Sequence, residues 1–174
     1  EDVLQLAKLE ESDSSRYSDM VELGALARDC AKDFGLIAAD RKQHLELSVP
    51  EDAPPSVLGD AALLRRVLDN LVHNAVEHTP ARGRILIAVR AEGAGVLVEV
   101  SDSGPGVPLE AREHIFRKFF QKDVKRHVGN VGLGLALCEK VVLRHGGAIG
   151  IGDAKPKGAR FYFTLPAAPA LEAA

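Results

Sequence analysis

Apolar residues recur along this chain at two different spacings, which predict helices in some segments and strands in others. A spacing of three and four residues over 23–34, 60–78 and 133–145 is typical of helices with one buried face. Asp19 and Asp60 precede the first two stretches as expected helix caps. The buried faces are expected to contain Leu23, Leu26, Ala27, Cys30, Ala31 and Phe34 in the first helix, Leu64, Val67, Leu68, Leu71, Val72 and Ala75 in the second, and Leu133, Ala136, Leu137, Val141 and either Leu143 or the stem of Arg144 in the third.

Shorter segments alternate apolar and polar residues or are rich in β-branched residues, as strands are. They lie at 45–49, 84–90, 96–102, 148–152 and 159–165. The second and third are separated by too few residues for a helical crossover, so they must pair antiparallel. The order of the elements predicts an α/β fold, a two-layer sandwich with one mixed, mostly antiparallel sheet and helices packed on one face.

The composition fits one compact soluble domain. The chain has 174 residues, of which 46% are hydrophobic and 27% are charged. Its net charge of −3 argues against a protein that binds nucleic acid without sequence preference, because such a protein needs a basic surface. No apolar run approaches the roughly 20 residues that span a bilayer. We therefore expect a cytoplasmic location and no nucleic-acid partner.

The cysteines and histidines do not follow a metal-binding pattern. Cys30 and Cys138 lack CxxC spacing and are expected to be buried, reduced thiols. The six histidines include no HExxH pair, and His73 and His78 are too poorly aligned to share a helical face. A zinc site is therefore not expected.

Three polar clusters interrupt the apolar pattern, at 69–80, 102–108 and 131–147. The first places Asn70 and Asn74 one helical turn apart, beside the buried face of the second helix. Taken alone, helical asparagines usually face solvent and glycines usually mark turns. The order and spacing of the three clusters together could close one nucleotide pocket.

The other two clusters supply a carboxylate and a glycine-rich helix start. Asp102 ends a strand and precedes Gly104 and Gly106, so it could either cap its own turn or accept a ligand hydrogen bond. Gly132 and Gly134 open the third helix, where main-chain amides can approach phosphate oxygens. The pattern matches neither the P-loop nor the Rossmann fingerprint.

Together these residues resemble the N, G1, F and G2 boxes of the ATP-binding domain of sensor histidine kinases, in the superfamily shared with gyrase and the mismatch-repair ATPases. The resemblance covers about residues 40–166 and implies a Bergerat-type ATP-binding fold. It implies that Asn74 ligates Mg²⁺ and that Asp102 reads the adenine amino group. Asn70 lies where ATP-hydrolysing relatives have a general-base glutamate. Because an asparagine cannot take a proton at neutral pH, this favours phosphoryl transfer over hydrolysis.

The resemblance also assigns the remaining contacts to ATP. Lys118 is expected to act on the phosphates together with Asn70 and Asn74, and Ile115, Phe116, Phe119 and Phe120 resemble the F box. The segment from Gln121 to Val131 is expected to be a mobile lid that nucleotide orders. The further residues expected to contact ATP are His78, Gly104, Gly106, Val107, Phe119, Gly129, Val131, Gly132, Leu133, Gly134 and Leu135.

No histidine of the chain lies in the motif of a phosphoacceptor helix. Residues 1–18 resemble the end of the dimerising hairpin that carries such a histidine, so we expect an ATPase domain at 19–168 and a tail at 169–174. The implied partners are that hairpin and the receiver domain of a response regulator. The parent kinase is expected to be a homodimer, with an inner-membrane anchor left open, and the present chain is expected to be monomeric.

Four positions depart from the family pattern. His78 replaces a commoner tyrosine or phenylalanine, Gln121 an arginine, Val131 a threonine or serine, and Ala159 a threonine. These changes support an alternative, a degenerate domain that binds nucleotide poorly and regulates a partner kinase by contact. A hydrolytic ATPase or a serine-directed kinase of the same superfamily is a third hypothesis, disfavoured by Asn70 and by the N-terminal helical remnant.

Overall fold

The structure, a computed structural model, describes residues 4, 7, 17–52, 55–120 and 132–169. Its elements in chain order are β1 (Met20–Val21), α1 (Leu23–Asp40), β2 (His44–Ser48), β3 (Val57–Leu58), α2 (Ala61–His78), β4 (Arg84–Glu92), β5 (Gly95–Asp102), α3 (Leu109–Arg112), α4 (Gly134–Arg144), β6 (Ala148–Asp153) and β7 (Ala159–Pro166).

The main sheet has five strands in the order β2-β4-β5-β7-β6. Strand β2 runs parallel to β4, and the other three pairs are antiparallel. The predicted hairpin of β4 and β5 is confirmed, with Ile87 opposite Val100. The predicted architecture, a mixed and mostly antiparallel sheet with helices on one face, is therefore correct.

Alternation along β5 separates the two faces of the sheet. Val96, Val98 and Val100 join the helices in one hydrophobic core. Glu99 lies on the opposite face, where it is 8% exposed and forms ion pairs with Arg90 and Arg160. The apolar stripe predicted for α2 is confirmed, because every member is buried: Leu64, Val67, Leu68, Leu71, Val72 and Ala75.

A second sheet, not predicted from the sequence, consists of β1 and β3 alone and pairs Met20 with Leu58. The two ends of the described domain meet there. On one side the amide of Gly59 donates to the carbonyl of Asp19 at 2.9 Å. On the other side Val57 bridges Ala167 at the end of β7.

Two details of the helices differ from the sequence prediction. Asp19 does not cap α1, because the helix begins at Leu23 and Asp19 lies in the linker before β1. Leu143 is 57% exposed, and Val142 is the buried residue in that turn of α4 instead. The cap at Asp60 is confirmed, since its Oδ1 accepts a hydrogen bond from the amide of Leu63 at 3.0 Å.

Both cysteines are buried free thiols, as predicted. Cys30 lies between α1 and α2 and donates to Oδ1 of Asp69 at 3.5 Å. Burial, followed by the negative charge of Asp69, raises the pKa of the Cys30 thiol to about 12. Cys138 packs on the other side of α2 and donates to the carbonyl of Val67 at 3.7 Å. Among the helices described, none is both long and apolar enough to cross a membrane.

Candidate functional site

Helix α2 lies between the two glycine loops and contacts both of them. Near its middle, Nδ2 of Asn70 donates to the carbonyl of Gly134, the first residue of α4, at 3.3 Å. At its C-terminal end, the carbonyl of His78 lies so close to Gly104 that a Cβ there would approach it to 2.6 Å. The three polar clusters of the sequence therefore meet along one helix.

Asn74 follows Asn70 by one turn, so the two side chains project from neighbouring positions of the same helix face. Both residues are half-buried. The main-chain carbonyl of Asn74 accepts a hydrogen bond from Nδ1 of His78 at 2.8 Å. Asn74 thus lies half-buried within a regular helix.

Asp102 is 6% exposed at the end of β5. Its Oδ1 accepts from the amide of Gly104 at 2.8 Å and from the amide of Ala159 at 3.4 Å. The first bond is the turn-capping contact that a lone Asp-Ser-Gly predicts. Because both bonds go to Oδ1, the second carboxylate oxygen is left to accept from a ligand.

Burial raises the pKa of the Asp102 carboxyl above its ordinary value, and the bonds from Gly104 and Ala159 oppose this rise. The charge of His78 opposes it further. Burial of the charged carboxylate is therefore unfavourable in the empty protein. A ligand N–H group that reaches the second oxygen would offset part of that cost.

The main chain around Asp102 is crowded, and only glycine fits at one neighbouring position. Gly158 has a φ of +120°, and a Cβ there would overlap the carbonyl oxygen of Asp102 at 1.7 Å. Gly158 is not among the site residues expected from the sequence. The only signal in the sequence for Gly158 is that a glycine directly precedes the last strand, and a turn explains such a glycine equally well.

Glycine before α4 allows two main-chain segments to approach closely. Gly132 has a φ of +71°, and a Cβ there would lie 2.9 Å from the carbonyl of Phe120. Its own carbonyl accepts from the amide of Phe119 at 3.0 Å. Leu133 is buried and Leu135 is half-buried. The N-terminus of an 11-residue helix thus begins at a close main-chain approach, a suitable place for phosphate oxygens.

The side of α2 from Asn70 to His78, together with the loops at Gly104 and Gly134 that it contacts, is called the groove below. The other predicted site residues lie as follows. Gly106 and Val107 are half-buried in the loop after Asp102, and Gly106 has a φ of +74°. Lys118 is exposed, and Phe119 is 66% exposed with a φ of +63°. The predicted lid, with Gly129, Val131 and the departure at Gln121, lies outside the described residues.

A cavity of about 350 Å³ lies beside the groove, formed by the loops at 105–108 and 153–158. Gly106 and Val107 line it, whereas its lining includes neither asparagine of α2 nor Asp102. The cavity is therefore not the place where the asparagines of α2 and Asp102 would contact a ligand.

The donor groups of the groove fit a nucleotide with a hard cation better than a metal alone. Within the described residues there is no group of three or more His, Cys, Asp or Glu side chains that could hold a metal ion. Asn74 offers a neutral amide oxygen, which suits Mg²⁺ when phosphates provide the negative charge. Asp102 offers a single free acceptor at the other end, which suits an amino group.

Residues 59–169 match the family model described as histidine kinase-, DNA gyrase B-, and HSP90-like ATPase. The chain is 39% identical over 147 residues to the adaptive-response sensory kinase SasA of Thermosynechococcus vestitus. That match covers 84% of this chain and 38% of SasA. The chain thus spans well under two thirds of this curated relative.

Solved structures show the same fold. Full-length ShkA in complex with AMPPNP has a TM-score of 0.84 and 34% identity, covering 96% of this chain and 35% of ShkA. The catalytic domain of the histidine kinase ThkA has a TM-score of 0.76 and 30% identity, covering 86% of this chain and 95% of that domain. ThkA in complex with the response regulator TrrA has a TM-score of 0.78 and 28% identity, covering 97% of this chain and 47% of ThkA.

Proposed function

Because the chain belongs to the histidine kinase-, DNA gyrase B-, and HSP90-like ATPase family and is the ATP-binding domain of a sensor histidine kinase, we propose that it binds ATP with Mg²⁺ and transfers the γ-phosphoryl group to a histidine on an adjacent helical hairpin. The boundaries proposed for this domain are 19–168, with a hairpin remnant at 1–18 and a tail at 169–174.

The observation that carries this proposal is the position of α2 between the two glycine loops. The contact between Asn70 and Gly134 fixes the helix to the phosphate end of the groove. The contact between His78 and Gly104 fixes it to the adenine end, next to Asp102. One rigid helix therefore sets the distance between the two ends, and catalysis by positioning needs such rigidity.

At the phosphate end, we assign the cation to Asn74 and the main-chain amides at the start of α4 to phosphate oxygens. When bound, Mg²⁺ would neutralise phosphate charge, which phosphoryl transfer requires. Asn70 has no proton-accepting group at neutral pH, and its amide already donates to Gly134. It therefore holds the phosphate loop against α2 and does not activate water. Lys118, which is exposed, is assigned to the phosphates as a cation.

At the adenine end, the second oxygen of Asp102 is assigned to the exocyclic amino group. Ionised carboxylates only accept hydrogen bonds, so guanine, which presents a carbonyl at the equivalent position, would meet an acceptor with an acceptor. The other positions assigned to nucleotide contact are His78, Gly104, Gly106, Val107, Phe119, Leu133 and Leu135. The assignments to Gly129 and Val131 rest on sequence alone.

The phosphate acceptor is proposed to lie outside this chain. His145 is buried and both of its ring nitrogens form hydrogen bonds, so it cannot receive a phosphoryl group without local unfolding. The solved complex of ThkA with the response regulator TrrA supports a receiver domain as the next partner. We also propose that the parent kinase is a homodimer and that this domain works in the cytoplasm.

A second function, a degenerate domain that regulates a kinase by contact, is favoured by one observation. Ala159 is 4% exposed beside Asp102 and presents a methyl group where the family commonly has a hydroxyl. Its main-chain amide still reaches Oδ1 of Asp102. The lost hydroxyl therefore removes one ligand contact and leaves the carboxylate in place, so we rank this function second.

Calorimetric titration with AMPPNP separates the two functions. We expect saturable binding that requires Mg²⁺ and disappears with EDTA. Adding a separately produced phosphoacceptor hairpin and γ-³²P-ATP should then give acid-labile phosphate on the hairpin and none on this chain. Absence of binding at millimolar nucleotide would favour the regulatory function, and acid-labile label on this chain alone would contradict an external acceptor.

A further inference from the structure

Three separate parts of the fold meet at the imidazole ring of His145. The ring stacks on Tyr17 of the linker before β1, with centroids 4.0 Å apart and planes 7° from parallel. Its Nε2 lies 3.0 Å from the main-chain nitrogen of Asp60, which caps α2. His145 itself follows the last turn of α4. One side chain thus touches the linker and both helices of the groove.

The two hydrogen bonds determine which ring nitrogen carries the proton. The amide of Asp60 can only donate, so Nε2 must accept and bears no proton. Nδ1 lies 2.7 Å from the carbonyl of Val141, which can only accept, so Nδ1 carries the proton. The native contacts therefore require the neutral ring in a single tautomer.

The main chain at Gly59 packs closely against one edge of the ring. A Cβ on Gly59 would lie 2.8 Å from Cδ2 of His145, so the chain passes directly over the ring edge. The amide of that glycine donates to the carbonyl of Asp19 in the linker. The linker is therefore connected to the start of α2 in two ways, directly through the bond from Gly59 to Asp19 and indirectly through the stack of Tyr17 on His145.

We propose that His145 is a positioning residue that couples the placement of the incoming linker to the start of α2, and that protonation of its ring releases Tyr17. The consequence for Asn70 and Asn74, which α2 carries, rests on the proposed function. The linker joins the domain to the segment expected to hold the phosphoacceptor, so the coupling would relate hairpin orientation to groove geometry.

The charged groups around the ring act in opposite directions. Burial lowers the pKa of His145 below its ordinary value. The bond to Val141 and the charge of Asp60 oppose this lowering, whereas the charge of Arg144 lowers the pKa further. Tyr17 and Asp19 of the linker and Asp60 also line a cavity of about 420 Å³ beside these contacts. A proton on Nε2 would face the Asp60 amide donor to donor and end that bond.

The sign of the pH effect follows from the lowered pKa. The unfolded chain binds a proton at this ring at a higher pH than the folded chain does. The stabilising contribution is therefore present above the ordinary histidine pKa of about 6.5 and is lost as the pH falls through the folded value. Acidification should undock Tyr17 before the core unfolds, because the stack lies at the edge of the domain.

The test is a pH titration of the His145 ring by NMR in the whole chain and in Tyr17→Phe and Tyr17→Ala. Tyr17→Phe keeps the stack and serves as the matched control. In this variant the His145 ring should titrate as it does in the unaltered chain. Tyr17→Ala opens one face of the His145 ring to water, so the pKa of His145 should rise towards its ordinary value. Equal titration in Tyr17→Ala and the unaltered chain would overturn the proposal.

A second measurement follows the amides of Asp60 and Leu63 between about pH 5.5 and 8. They should shift with the same midpoint as the His145 ring, and in His145→Gln, which keeps an acceptor but cannot be protonated, they should not shift. A midpoint unrelated to that of the ring would also overturn the coupling. Failure of AMPPNP to bind would overturn the proposed function and leave these two results to decide the role of His145.

Discussion

Nδ2 of Asn70 donates to the carbonyl of Gly134 across 3.3 Å, and this bond joins α2 to the first residue of α4. Asn70→Ala should therefore lower the free energy of unfolding by about 0.5–1.5 kcal/mol. His73→Ala, an exposed position on the same helix, is the control and should change little. Urea unfolding measures both, and equal effects would contradict the role of the contact.

Asp102→Asn should weaken nucleotide binding. The substitution keeps the shape of the side chain but places an amide donor where the second carboxylate oxygen is expected to accept from adenine. We expect a loss of at least about 1–3 kcal/mol in the binding free energy of ATP, the usual cost of an unpaired polar group. Calorimetry checks this. Equal ATP affinity in the variant, or equal affinity of the unaltered chain for GTP, would remove Asp102 from the site.

The same substitution should leave the empty domain at least as stable at neutral pH. Because burial raises the pKa of Asp102, its contribution to stability is greatest below the unfolded pKa and is lost as the pH rises through the folded value. An asparagine at this position would keep an acceptor for Gly104 and Ala159 without a charge. Between about pH 4 and 7, the melting temperature of Asp102→Asn should therefore show less of this loss with rising pH than that of the unaltered chain.

Gly158→Ala should strongly destabilise the fold. The added methyl group would overlap the carbonyl oxygen of Asp102, and a φ of +120° disfavours any side chain. We expect a loss of more than about 3 kcal/mol in unfolding free energy. Gly152→Ala, where a Cβ would meet nothing within 4 Å, is the control and should stay within about 1 kcal/mol. Similar losses in both variants would show that the overlap is relieved by main-chain movement.

Glu99→Ala should destabilise the sheet. Glu99 has only 11% of its side chain exposed between Arg90 and Arg160, so its removal leaves two guanidinium groups without their shared partner. We expect a loss of about 2–3 kcal/mol, somewhat less than for a fully buried pair, because both arginines also reach solvent. Glu46→Ala breaks an exposed pair with Arg84 on the same sheet and should cost under about 0.5 kcal/mol. Denaturant unfolding distinguishes the two.

The parts of the fold that the sequence predicts well are those with a local, repeated pattern. The stripe of α2 repeats over successive turns, so its buried face from Leu64 to Ala75 follows directly from spacing. Strands β1 and β3 have two residues each, too few to show any alternation. Asp19 has the chemistry of a helix cap, but the residues that follow it form β1, so α1 begins only at Leu23.

The candidate site also contains some features that a local sequence pattern predicts and others that only the folded chain creates. Asn70, Asn74 and Asp102 are predicted as site residues because three polar clusters occur together in one order and spacing, whereas each cluster alone is weak evidence. The stack of Tyr17 on His145 could not be identified, because residues 128 positions apart (145 less 17) show no mutual pattern along a chain. Gly158 was missed because its reason is the carbonyl of Asp102, a contact that only the folded sheet creates.

The pairing of β3 with both β1 and Ala167 determines how the domain would respond to mechanical load. Tension applied through the linker and the end of β7 would act on the two-residue pairing of β1 with β3 and on the bridge between Val57 and Ala167. The antiparallel ladders of β4, β5 and β7 lie beyond those contacts and would carry little of the force. A pull from neighbouring segments would therefore detach the linker while the groove along α2 kept its shape.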